Sequence, residues 1–165
     1  MGINGMNLYF LYAYGINGEK HQLKALSGKT IPFFKEGWHN KHQVLYLWHS
    51  SGGKAVASDF EYLYRLRNEF GDKVDFWFVN LTGVDDEEII NVKTFTESHN
   101  LESDSILLDM DEEVAATLRI KYFSVITFIK KDNYVYRKIE GEFDENLVRE
   151  TISSMMKAPL HYDYE

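Results

Sequence analysis

Five consecutive residues, Val44-Leu45-Tyr46-Leu47-Trp48, constrain this chain more than any other stretch. The run is apolar at every position and rich in β-formers, too short for an ordinary helix and long enough for a buried strand. A strand with no polar face belongs at the centre of a sheet. His49-Ser50-Ser51-Gly52 follows, and then Val56, Phe60 and Leu63 recur at helical spacing, so the spacing predicts a helix from about Gly53 to Phe70. Gly71 is expected to close it in the left-handed conformation that glycine tolerates. A loop joining the end of a central strand to the start of a helix is where α/β folds commonly hold ligands or carry chemistry.

What the loop can do follows from its residues. Gly52 and Gly53 allow close approach to the unpaired N–H groups of a helix start, and Lys54 adds positive charge. A carboxylate, phosphate or peptide could sit there; an ordinary strand-to-helix turn is the plain alternative. The loop is not a phosphate-binding P-loop, because Trp48 stands where that motif needs its first glycine and Ala55 where it needs Ser or Thr. His49, Ser50 and Ser51 offer a base and hydroxyl nucleophiles. However, neighbours at a strand end point to opposite sides, and no acidic orienter is identifiable nearby, so hydrolysis is not the expectation.

The rest of the chain alternates in the same way. Leu8–Tyr14 and Lys20–Leu26 flank an Asn17-Gly18 turn and read as a hairpin, with Tyr9, Phe10, Tyr12 and Tyr14 aromatic enough to pack on the domain or on a second copy. Thr30–Phe34 is a short strand that Pro32 assigns to an edge. Val74–Leu81 is the next strand, and Asp85, Asp86, Glu87 and Glu88 open a helix reaching about His99, where acids suit the positive helix end. Their spacing is not that of a calcium loop. Ser105–Asp109 is a short strand, and Asp111 is expected to cap a brief helix to Leu118. Phe123–Ile129 and Asn133–Ile139 form a hairpin, and Asp144 caps a last helix carrying Leu147, Val148, Ile152 and Met155 on its inner stripe. His39, His42 and His49 lack the companion ligands of a metal site, so no metal is expected. No cofactor is implied.

Composition narrows the chemistry. The 165 residues include no cysteine, which removes thiol catalysis, disulfides and thiolate metal sites. A formal charge of -8 argues against nucleic acid or anionic membrane as partner. No stretch is long and apolar enough for a membrane span, and the start from Met6 to Tyr14 lacks the features of a signal peptide, which favours the cytoplasm if Met1 is native, without fixing the compartment.

Two segments resemble a known family. The strand ending in Leu47-Trp48 and its loop look like the active-site segment of the TlpA/ResA-like branch of the thioredoxin superfamily, a bacterial-type group of thiol-disulfide oxidoreductases. Anchored on Trp48, that family's Cys-x-x-Cys falls on Gly52 and Ala55. The stretch Leu108-Asp109-Met110-Asp111-Glu112-Glu113-Val114-Ala115, with Ile120 through Asp132, is similar to the family's segment around its cis-proline, which falls on Ser124. The resemblance implies a mixed central sheet with helices on both faces, thioredoxin-like, over 27–158, preceded by the hairpin 1–26 and followed by a tail 159–165. It also implies a cleft built from Trp48, Ser51, Gly52, Gly53, Lys54, Ala55 and Ser124. With both sulfurs and the proline replaced, the expected role is a redox-inactive module that binds a protein or peptide, or self-associates through the N-terminal strand. An enzyme reusing Ser51 or Lys54 is the alternative.

Overall fold

The computed structural model describes residues 22–25, 27, 30–32, 41–83, 85–110, 112–121 and 124–160. Among the described residues seven strands form one sheet: β1 (Gln22–Ala25), β2 (Thr30–Pro32), β3 (His42–Trp48), β4 (Val74–Asn80), β5 (Ile106–Leu108), β6 (Val125–Ile129) and β7 (Val135–Glu140). Their order across the sheet is β2-β1-β5-β4-β3-β6-β7. The helices are α1 (Gly53–Phe70), α2 (Asp86–Ser98), α3 (Glu113–Thr117) and α4 (Glu145–Lys157). The architecture is the mixed, helix-flanked sheet that the sequence predicts.

The all-apolar run is the reason for the layout. β3 lies between β4, which it pairs in parallel with Trp48 opposite Asn80, and β6, which it pairs in antiparallel sense with Leu47 opposite Val125. All seven residues of β3 are buried. Its alternating side chains serve both faces. Val44, Tyr46 and Trp48 join a core with Phe60 and Leu63 of α1, Val92 of α2 and Ile152 of α4. Leu45 and Leu47 enter the opposite core with Val114 of α3 and its neighbour Leu118. Pro32 ends the outermost strand β2, where a missing N–H costs no ladder bond.

Several local readings are corrected by the coordinates. Gly71 is right-handed helical, not left-handed; a Cβ there would come within 2.6 Å of the Arg67 carbonyl oxygen, so glycine is required by space. The brief helix α3 is capped by Asp109, whose carboxylate accepts the N–H of Val114 and of Ala115; Asp111 lies outside the described residues. His42 opens β3, and its Nδ1 accepts the Lys131 N–H at 3.0 Å. Burial and the nearby Lys131 charge lower its pKa. The second arm of the expected N-terminal hairpin is β1, which pairs with β2 and β5 in the main sheet. Its first arm, Leu8–Tyr14, and the tail beyond Leu160 lie outside the described residues.

Candidate functional site

The end of β3 feeds a single 3-10 turn, Ser50–Gly52, before α1 begins. The turn exists because Gly53, at φ +56°, takes a left-handed conformation that strains any residue with a side chain. Its N–H bonds back to the Ser50 carbonyl. Ser51, Gly52, Gly53, Lys54 and Ala55 are exposed. α1 has no side-chain cap, so its first-turn N–H groups are not satisfied by one.

Ala55 and Ser124 are brought together. They line one open cleft of about 560 Å³ with Asp59, Gly141, Glu142, Phe143, Asp144 and Leu147, a volume within the usual range for small-ligand sites. Ser124 directly precedes β6 at φ +61°. Proline is locked near −65° and could not adopt that backbone. The peptide bond preceding Ser124 involves Phe123 and lies outside the described residues.

The cleft has a polar floor that the sequence did not reveal. The Tyr46 hydroxyl donates to Asp59 Oδ2 at 2.7 Å and lies within hydrogen-bonding reach of Ser124. Burial pushes the Tyr46 phenol well above its ordinary range, with the Asp59 charge adding to the effect. Burial likewise raises Asp59, against the opposing pull of its hydrogen bond from Tyr46 and of the nearby Tyr62 hydroxyl. Tyr62, buried and also raised by burial, approaches Asp59 without its oxygen reaching good hydrogen-bond geometry. Only the spacing Ala55 to Asp59, one helical turn, was available from sequence to hint at this group.

Trp48 does not line the cleft. It is fully buried under the loop, edge-on to Phe60 at 5.0 Å and tilted against Phe95 at 5.2 Å. Among the described residues its indole Nε1 has no hydrogen-bond partner. Its indole, packed against the Phe60 and Phe95 rings, is a core anchor for the loop.

The loop's other side holds a second constellation. His49 Nδ1 lies 2.8 Å from Ser51 Oγ and accepts the Ser51 N–H at 3.1 Å. On the far edge of the ring, Nε2 is 3.4 Å from Glu88 Oε1. Glu88, from the first turn of α2, is 1% exposed. Its carboxylate accepts from the Ser50 N–H at 2.8 Å, from the Ser50 hydroxyl, and from Asn80 Nδ2 at 3.0 Å. The acidic orienter absent from the sequence reading is therefore Glu88, and the partner of His49 is Ser51, not Ser50. Helix-end charge accounts for Asp86 and Glu87 but not for a carboxylate buried 38 residues along the chain from its main donor.

Among the described residues no group of three or more His, Asp or Glu could hold a metal ion. No described helix is long and apolar enough to cross a membrane.

A parallel β3–β4–β5 core flanked by antiparallel β6 and β7, with a helix starting beside the loop after β3, defines the thioredoxin-like fold. Comparison with solved structures agrees. MTB dsbF, from Mycobacterium tuberculosis, superposes with a TM-score of 0.68 at 16% identity, covering 82% of this chain and 95% of that one. The pneumococcal exposed lipoprotein thioredoxin Etrx1 of Streptococcus pneumoniae gives 0.67 at 19% identity over 81% and 97% of the two chains. A thiol:disulfide interchange protein of the thioredoxin family from Chlorobium tepidum gives 0.67 at 10% identity over 82% and 92%. No protein-family model matches the chain, and no curated protein matches it by sequence. The resemblance noted in the sequence thus holds at the level of fold: the chain is thioredoxin-like, its structural neighbours include thiol-disulfide proteins, and it has no cysteine.

Proposed function

We propose that this chain is a thioredoxin-like module without redox chemistry, binding an extended peptide or a protein segment in the cleft between Ala55 and Ser124. The observation that carries this reading is the juxtaposition itself: the positions that align with the second cysteine of the Cys-x-x-Cys and with the substrate-shaping proline line one open cleft. With no sulfur there, what remains is a concave surface with an apolar wall of Phe143 and Leu147, bordered by backbone at Gly141 and by Ser124. Such a surface offers pockets for side chains and polar groups for a peptide backbone.

Titrating short unstructured peptides into the isotopically labelled chain, while following backbone amide shifts of Ala55, Ser124 and Gly141 by NMR, tests it. Localised shifts that vanish in an Ala55→Trp variant support the reading. Unmoved amides at millimolar peptide across a diverse set remove it. An insulin-reduction assay is expected to be blank.

A further inference from the structure

We propose that Ser51, His49 and Glu88 form an acyl-transfer relay on the side of the β3–α1 loop away from the peptide cleft, with Ser51 as nucleophile, His49 as its base and Glu88 as the group that orients the imidazole. Nucleophile and base lie 2.8 Å apart, within the reach such a relay needs, and a carboxylate stands 3.4 Å from the opposite ring nitrogen, an approach longer than a normal N–H···O bond. Because Nδ1 accepts the Ser51 backbone N–H, it carries no proton in the neutral ring, and Nε2 holds the proton that faces Glu88.

A turn cap would explain Nδ1 alone. It would not explain a carboxylate placed at Nε2 almost wholly out of water, since burying such a group is costly unless it is paired and hydrogen-bonded. Here the carboxylate is fixed from three directions, and the His49 ring lies 3.4 Å from it. Asn80 is itself held, its Oδ1 accepting from Thr82 Oγ1 at 2.7 Å, so that its amide N–H₂ must face Glu88. Ser51 is exposed and the base behind it is rigidly supported.

The step balances on these residues. Ser51 Oγ forms a bond to the carbonyl carbon of an ester or thioester as its proton passes to His49 Nδ1, and the carbonyl electron pair moves onto oxygen. Beyond Gly53, whose N–H is bonded to the Ser50 carbonyl, the first-turn N–H groups of α1 have no side-chain cap and stand at the positive helix end to receive that oxyanion. Collapse breaks the bond to the leaving alkoxide or thiolate, which takes the proton from Nδ1. Water then repeats the cycle on the acyl-serine. His49 also borders an open cleft of about 300 Å³ whose lining mixes Leu81, Ala115 and Ile120 with Asp109, Glu112 and Lys121. The substrate class is a small ester or thioester.

Labelling the full-length chain with a fluorophosphonate, and assaying p-nitrophenyl butyrate, tests the relay. One adduct on Ser51, located by peptide mass, and ester turnover that both disappear in Ser51→Ala are the expected results. His49→Gln should slow labelling by about tenfold or more. Glu88→Gln should lower kcat with KM unchanged. Absence of a Ser51 adduct, or wild-type turnover in Ser51→Ala, overturns the proposal; because the Ser51 side chain is exposed, that variant is expected to remain folded, which circular dichroism verifies.

Discussion

Tyr46 occupies a position in β3 where an apolar side chain would satisfy the core, and edge contacts to Phe60 and Phe143 treat its ring as one. Its hydroxyl is what ties the strand to the cleft, through Asp59 on α1. Replacing Tyr46 by Phe keeps the ring and strips the carboxyl of this donor, which should cost about 1–3 kcal/mol in urea unfolding. An unchanged unfolding midpoint would mean that the hydrogen bond contributes nothing net. Asp59 gives a prediction of opposite character. Burial raises its folded pKa above that of the unfolded chain, so the folded form keeps its proton to higher pH. The contribution this makes to stability is fully present below the unfolded carboxylate range, around pH 4, and is lost as pH rises through the raised folded value. Asp59→Asn cannot lose a proton, so between pH 4 and pH 7 its stability should gain relative to wild type. Parallel urea midpoints for the two proteins across that range would show that the carboxyl is not perturbed. Neither residue stood out in the sequence, because a strand residue and a helix residue 13 apart meet only through packing.

At the scale of elements, local grammar was legible and contacts between elements were not. The α1 boundaries, the Asp144 cap and the edge position of β2 all follow from signals within a few residues. The cap of α3 came from Asp109 because the carboxylate just after β5 reaches two N–H groups at once, an option that a nearest-residue rule overlooks. Glu88 is the larger case. In sequence it is one of four acids at a helix start; in the fold it pins α2 to the 3-10 turn and to the end of β4. Glu88→Ala leaves the Ser50 N–H, the Ser50 hydroxyl and Asn80 Nδ2 without this acceptor. Each stranded donor carries a desolvation penalty, so the loss should be about 2–4 kcal/mol, compared with near neutrality for Glu87→Ala on the exposed face. Hydrogen exchange should localise the damage to amides of residues 49–53 and the first turn of α2. A uniform loss of protection instead would indicate that Glu88 supports the whole fold and not this junction.

For the molecule as a whole, the question is whether the frame around the β3–α1 loop is still one in which a dithiol could work. Gly52 stands at the N-cap of α1 and Ala55 in its first turn, so cysteines at the two positions would both lie at the positive helix end, which favours a thiolate. Space is the obstacle at one of them: a Cβ on Gly52 would stand 2.3 Å from Val56 Cγ2, and Val56 is buried. Gly52→Cys with Ala55→Cys alone should therefore form a strained bridge, while the same pair combined with Val56→Ala should oxidise readily in a glutathione buffer. Loss of two mass units and of Ellman-reactive thiol reads the outcome. Ser124 limits what such a variant could then do, because its left-handed backbone excludes the proline that the resemblance places there. The oxidised triple variant is accordingly expected to reduce insulin far more slowly than a thioredoxin assayed beside it. If the paired thiols instead stayed free in a folded protein, the loop would have departed from the dithiol geometry along with its sulfurs, and the cleft between Ala55 and Ser124 would have to be understood without reference to disulfide exchange.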